Sequence, residues 1–123
     1  MIIIDTNVIS EPWKTGPDPR VVAWIDAQAI GTTYLSTITV AEPRFGLSTM
    51  QEGKRRSIYQ DRLERELLPT FAGRVLPFDL DTSQAYATLM SRAKATGKAI
   101  SNADGYIAST AAVRALTVAT RDV

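Results

Sequence analysis

MIIIDTNVIS, residues 1–10, is the stretch that decides the fold. Its apolar residues run on without alternation, which predicts a strand buried on both faces, as strands of parallel sheets are. The strand stops at Asp5, and a short helix is expected over residues 7–10. Asp5 therefore has two interpretations: an N-cap of that helix, or a ligand at the carboxyl end of a parallel strand, where α/β sheets place their sites.

Beyond this stretch the chain alternates helices with strands. Further strands are predicted over residues 32–37, 74–78 and 116–120, and helices over residues 19–30, 37–48, 53–68, 81–97 and 100–115. Side chains that cap helix starts are expected at Asp18, at Ser36 or Thr37, at Asp81 or Thr82, and at Ser101. The alternation predicts an α/β fold with a mainly parallel central sheet flanked by helices. No repeat or linker interrupts it, so residues 1–123 are expected to form a single domain.

The composition limits the chemistry, because the chain has no cysteine and no histidine. Disulfides, thiolate nucleophiles, Cys/His zinc sites and histidine acid–base catalysis are excluded together. A metal site would have to use oxygen ligands, which suit Mg²⁺, Mn²⁺ or Ca²⁺. No apolar run reaches the ~18 residues of a membrane span, and no signal peptide is recognisable, so a cytoplasmic location is expected.

Glu42 lies in the segment STITVAEPRFGL. In a helix over residues 37–48 it shares one face with Ile38 and Phe45, which predicts a carboxylate within a buried apolar stripe. Such a group is costly unless it is paired or bound to a metal. The alternative is that Glu42 reaches the edge of the stripe and meets Arg44 or another cation.

Two further carboxylates occupy comparable positions. Asp104 completes the pattern S-x-x-D with Ser101, which indicates a capping box, but it also heads the apolar stripe of Ile107, so its side chain is expected to point inward. Asp122 follows the last predicted strand and is either a turn residue or a strand-end ligand. If these carboxylates meet Asp5 and Glu42, charges ~4 Å apart repel by about 4 kcal/mol per pair at an effective dielectric of 20. A divalent cation would offset that repulsion.

Four segments carry a family resemblance: IIIDTNVISE, STITVAEPRFGL, ISNADGYIASTA and TVATRD, in this order along nearly the whole chain. The sequence resembles the PIN-domain ribonucleases, and closely the VapC-like toxins of bacterial type II toxin–antitoxin pairs. The resemblance implies a Mg²⁺- or Mn²⁺-dependent endoribonuclease with a PIN fold, which leaves 5′-phosphate and 3′-hydroxyl ends. It also implies a homodimer inhibited by a small antitoxin. The family's acidic centre falls on Asp5, Glu42, Asp104 and Asp122.

Three polar neighbours match the family as well. Thr6, Asn7 and Thr120 are expected to support the carboxylates, or else only to cap helices and turns locally. The sequence departs from the family in two places. Pro43 stands where leucine is usual, so the helix is expected to kink there or to begin later. The family continues through another short strand, whereas this sequence ends at Val123.

The remaining charge is basic. Setting the four acids aside leaves 14 basic and 9 acidic side chains, a balance of +5. This balance suits RNA, with clusters at Lys54, Arg55 and Arg56 and at Arg92, Lys94 and Lys98; the alternative is solvated helix ends. The charged helix over residues 53–68 and residues 8–13 are candidates for a dimer or antitoxin surface, or simply pack on their own sheet.

Two other functions compete with the nuclease. A receiver-like phosphoacceptor domain would need several acids after the first strand and a lysine after a late strand, but the sequence offers Asp5 alone and Arg121. A non-catalytic PIN-like binding module would keep the fold and the acids without a productive arrangement.

Overall fold

Four parallel strands form one sheet in the computed structural model, which describes residues 1–120. In spatial order they are β3 (Val75–Leu76), β2 (Thr33–Ser36), β1 (Ile2–Ile4) and β4 (Thr117–Ala119). Ile3 of β1 lies opposite Tyr34 on one side and Val118 on the other. The predicted α/β fold with a parallel sheet is confirmed.

Helices connect these strands and cover the sheet. They are α1 (Thr6–Ile9), α2 (Pro19–Ala27), α3 (Thr37–Thr49), α4 (Lys54–Asp61), α5 (Leu68–Thr70), α6 (Leu80–Ala95) and α7 (Asn102–Val113). Short 3₁₀ turns lie at Glu11–Trp13 and Ile30–Thr32, and a π-helical segment, Arg62–Leu67, joins α4 to α5. Among residues 1–120, none of the helices combines the length and apolar character needed to cross a bilayer.

The core has two parts, and β1 contributes to both. Ile4 packs in a cluster with Leu35 of β2 and Val8 of α1, whereas Ile3 packs with Ile107 of α7. Successive side chains of a strand point to opposite faces, so a strand buried on both faces must be apolar at every position. This requirement explains the unbroken isoleucine run, and it leaves Asp5 as the first polar side chain after the strand.

The structure confirms three predicted helix caps and corrects one. The side chains of Asp18, Ser36 and Ser101 cap α2, α3 and α7. The cap of α6 is Asp79, not Asp81 or Thr82, because Asp79 Oδ1 accepts hydrogen bonds from the Thr82 backbone (3.0 Å) and hydroxyl (2.7 Å). Those bonds, together with the Arg114 guanidinium 3.1 Å away, lower the pKa of Asp79.

Pro43 lies inside α3, which runs without interruption from Thr37 to Thr49. The helix therefore begins where the sequence indicated, and the alternative of a later start is wrong. Proline lacks an N–H group and cannot bond to the carbonyl one turn before. Packing of Thr39 and Val40 against the core maintains the helix across this gap.

We expect Ala115→Gly to stabilise the fold. Ala115 lies two residues after the last residue of α7 and has a φ of 55°, while the Leu116 N–H donates back to the carbonyl of Ala111 at 2.9 Å. The left-handed conformation costs a residue with a Cβ about 1–2 kcal/mol, so glycine should raise the free energy of unfolding by about 1 kcal/mol, measured by urea denaturation. Gly97→Ala, at a φ of 73°, is the reciprocal control and should lower it. A loss of stability in Ala115→Gly would contradict this account.

Candidate active site

Asp5 is a buried carboxylate at the junction of three elements. Its side chain is 6% exposed. Its backbone N–H donates to the carbonyl of Ala119 in β4 at 3.0 Å, Oδ1 accepts from the Thr6 backbone at 2.7 Å, and Oδ2 accepts from the Thr120 hydroxyl at 3.1 Å. Asp5 is thus both the N-cap of α1 and a carboxylate at the strand ends, and the two interpretations of its position are compatible.

Thr6 connects Asp5 to Glu42. Its backbone serves the Asp5 carboxylate, and its hydroxyl donates to Glu42 Oε1 at 2.7 Å. Thr6 lies at the start of α1 and Glu42 in the middle of α3. Thr6 therefore links two of the expected site carboxylates, which are 37 residues apart in the sequence.

Glu42 is exposed, and the expected burial of its stripe is wrong. Phe45, on the same face, is 71% exposed, whereas the buried positions of α3 are Thr39 and Val40. The inward face of the helix is therefore displaced by one to two positions from the predicted one. Arg44, the cation named as an alternative partner, instead binds Glu64 through two contacts of 2.9 Å.

Asp104 lies in the first turn of α7, where its backbone N–H donates to Ser101 Oγ at 3.2 Å. Its side chain is exposed, while Ile107 one turn later is buried. The expected inward direction of this carboxylate is therefore wrong, because the inward face of α7 begins at Gly105. A Cβ built at Gly105 would approach Met90 Sδ to 2.7 Å, so α7 packs closely on α6 there.

Two further predicted site residues are Asn7 and Asp122. Asn7 is exposed on α1, and Asp122 falls outside the described residues. Within residues 1–120, no group of three or more carboxylates is placed to hold a metal ion. The structure thus joins Asp5, Thr6, Glu42 and Thr120, and the convergence of all four acids stays a prediction.

Glu11 is a buried carboxylate that the sequence reasoning missed. It is 3% exposed, with Lys14 Nζ at 2.7 Å from Oε2 and the backbone N–H of Asp18 donating to Oε1 at 3.1 Å. These contacts connect the beginning, middle and end of the loop before α2 to one another. Its position in the Pro- and Gly-rich segment EPWKTGPDP indicated a loop, and no local pattern marks one carboxylate of a loop as buried.

Comparison with known proteins identifies the family. The profile of the PIN domain matches residues 2–123. The chain belongs to the PIN-domain family. This PIN domain is 66% identical to the VapC ribonuclease Y4jK of Sinorhizobium fredii over 122 residues, which cover 99% of this chain and 87% of that relative. It is 53% identical to the toxin FitB of Neisseria gonorrhoeae, with 99% and 88% of the two chains covered.

Solved structures agree with this assignment. The crystal structure of FitAcB from Neisseria gonorrhoeae superposes on this PIN domain with a TM-score of 0.95 at 53% identity, covering 99% of this chain and 88% of that one. VapBC2 of Rickettsia felis, bound to a DNA fragment from its promoter, gives a TM-score of 0.76 at 25% identity over 99% and 88%. The receiver-like alternative is therefore wrong.

Proposed function

We propose that this PIN domain is a divalent-metal-dependent endoribonuclease that acts in the cytoplasm as the toxin of a toxin–antitoxin pair. The observation that carries the proposal is the link from buried Asp5 through Thr6 to Glu42 at the carboxyl end of a parallel sheet, the edge where α/β proteins place their sites. The relatives named VapC ribonuclease and toxin FitB support the activity and the biological role.

The donor chemistry fits Mg²⁺ or Mn²⁺. The linked side chains offer carboxylate and hydroxyl oxygens only, the ligands that hard cations prefer. Asp5 and Glu42 would hold the ion, with Asp104 and Asp122 as the proposed further ligands. When bound, a divalent ion supplies positive charge that activates water and stabilises the leaving oxygen.

The reaction we propose is hydrolysis of a phosphodiester bond. Water attacks phosphorus in line, the bond to the 3′ oxygen breaks, and the products carry 5′-phosphate and 3′-hydroxyl ends. Thr6 holds Glu42 at Oε1, so Oε2 is the atom proposed to accept the proton of the attacking water. Thr120 holds Asp5 at Oδ2, which fixes that carboxylate in one orientation for the ion.

The test is cleavage of a labelled structured RNA by the purified chain. Cleavage should need Mg²⁺ or Mn²⁺, stop with excess EDTA, and leave ends that polynucleotide kinase labels only after phosphatase treatment. Cleavage that persists in EDTA would contradict the metal-dependent mechanism. Metal binding without cleavage would instead favour a non-catalytic PIN-like module, an alternative supported by the exposed position of Asp104.

We further propose two protein partners, a cognate antitoxin and a second copy of the chain. Structures of relatives that are toxin–antitoxin complexes support the antitoxin. Exposed apolar side chains on the helices, Phe45 at 71% and Leu80 at 87% among them, are available for such contacts. Molar mass measured by light scattering, alone and with the antitoxin, tests both partners.

Thr6→Val should lower kcat/KM for RNA cleavage about 10-fold, in the range measured for groups that orient metal ligands. Valine has the shape of threonine and keeps the backbone N–H that serves Asp5, but it removes the hydroxyl that donates to Glu42. Steady-state cleavage at saturating Mn²⁺ measures the effect, and Thr6→Ser, which restores a hydroxyl, should recover most of the rate. Equal activity of the valine and serine variants would show that the hydroxyl does not position Glu42.

A further inference from the structure

Basic side chains line a groove on the surface of the protein. The groove, about 530 Å³, lies between the 3₁₀ turn Glu11–Trp13 and α4 with its π-helical extension. We call it the basic groove; its walls include Trp13, Lys14, Lys54, Arg55, Tyr59 and Arg62. It therefore combines four cations with two aromatic rings.

Three of these cations have no acidic partner within residues 1–120. Elsewhere in that part of the chain, four arginines are ion-paired, among them Arg44 with Glu64 and Arg114 with Asp79. In the groove, Lys54 and Arg62 have no ion pair, and Arg55 lies over the ring of Tyr59 at 5.6 Å from its centroid. Lys14 is the one cation of the four that forms an ion pair in the described part of the chain, with Glu11.

A second groove adjoins the basic groove and borders α3, the helix that carries Glu42. It measures about 420 Å³, is mostly apolar, and shares Trp13, Lys14, Arg55 and Tyr59 with the first. At its other end it reaches Pro43, the neighbour of Glu42, and Ser10, whose hydroxyl donates to the carbonyl of Thr6 at 2.8 Å. From Glu42 to the far wall at Met50 the distance along α3 is about 12 Å, at 1.5 Å per residue.

We propose that the two grooves together bind the single-stranded RNA that flanks the scissile phosphate. This inference rests on the proposed ribonuclease activity and adds to it a location for the substrate. Lys54, Arg55 and Arg62 contact backbone phosphates, and Trp13 and Tyr59 stack against bases. Positively charged grooves lined with aromatic side chains are the usual design for single-stranded nucleic acid, and unpaired guanidinium groups suit phosphate better than they suit an apolar protein segment.

Binding of RNA without cleavage tests the proposal. The probe is a fluorescein-labelled single-stranded RNA of eight nucleotides, measured by anisotropy in EDTA. Charge reversal in the double variant Arg55→Glu, Arg62→Glu should weaken binding at least 10-fold at 50 mM salt. Because each phosphate contact on a single strand adds about −0.7 to the slope of log K against log salt, the slope should become shallower by about 1.4.

The double variant Arg20→Glu, Arg65→Glu is the matched control, since it makes the same charge change at two exposed arginines outside both grooves and outside the two basic clusters of the sequence. It should change the affinity less than 3-fold. In a Trp24→Phe background, which leaves Trp13 as the single indole, RNA should quench the fluorescence. Equal losses in the two double variants, or an unquenched Trp13, would overturn the proposal. So would a groove variant that loses antitoxin binding but keeps RNA binding, because the grooves would then serve a protein partner.

The location of RNA binding and the proposed nuclease activity can fail independently of each other. If the parent chain cleaves RNA and the groove variant shows the same KM, the location is wrong and the nuclease stands. If the parent binds RNA through the groove residues but does not cleave it with Mg²⁺ or Mn²⁺, the location stands and the proposed activity is wrong.

Discussion

Asp5→Asn is expected to lower kcat/KM for RNA cleavage by about 100-fold, the scale of losing a charged group that stabilises the transition state. Asparagine keeps an oxygen that can cap α1 through the Thr6 backbone, so the fold should be retained. It removes the negative charge from a side chain that is 94% buried at the strand ends, where the site would hold its cation. Initial rates with Mn²⁺ measure the loss, and circular dichroism checks the fold.

The matched control is Asp79→Asn. Asp79 is also an N-cap aspartate that accepts a backbone N–H, from Thr82 at the start of α6, but it belongs to no candidate site. This variant should keep more than half of the parent activity. If both variants lose activity equally, the loss reflects helix capping and not metal binding. Retained activity in Asp5→Asn would remove Asp5 from the mechanism.

The sequence predicted the sheet well because burial on two faces leaves a local signature. A strand such as β1 must be apolar at consecutive positions, since Ile3 and Ile4 enter different halves of the core. The end of that run at Asp5 then marks the edge of the sheet, which is where the structure places this carboxylate. Strand ends of this kind can be recognised without knowledge of distant parts of the chain.

The orientation of α3 could not be read in the same way. The sequence offers two candidate stripes, one through Ile38 and Phe45 and another through Thr39 and Val40. Hydrophobicity favours the first, yet the structure buries the second, because the cap at Ser36 and the direction of β2 fix the rotation of the helix. Phe45 is therefore exposed, and the hydrophobic pattern of the helix alone does not show this.

The links between site residues depend on tertiary placement. Thr6 was a candidate because it follows Asp5, but nothing in the sequence shows that its hydroxyl reaches Glu42. The choice of Asp79 as the cap of α6 also depends on tertiary contacts. Two acidic residues near a helix start, Asp79 and Asp81, are both suitable, and the choice depends on contacts with Thr82 and Arg114 from another element.

Leu35→Ala should lower the free energy of unfolding by about 3 kcal/mol, within the usual 2–5 kcal/mol for a buried leucine. Leu35 is fully buried in β2, where it packs in the cluster of Ile4 and Val8. The truncation removes favourable transfer of the side chain and leaves a cavity that the paired strands on either side cannot close. Domains of this size have about 5–15 kcal/mol of stability, so urea denaturation should detect the loss readily.

Leu80→Ala separates this effect from hydrophobicity in general. Leu80 is 87% exposed at the first position of α6, so the same truncation should change the free energy of unfolding by less than about 0.5 kcal/mol. Leu35 lies in the core and is not one of the candidate site residues. Leu35→Ala should therefore reduce activity only in proportion to the unfolded fraction. Similar destabilisation by both truncations would contradict the assignment of Leu35 to the core and of Leu80 to the surface.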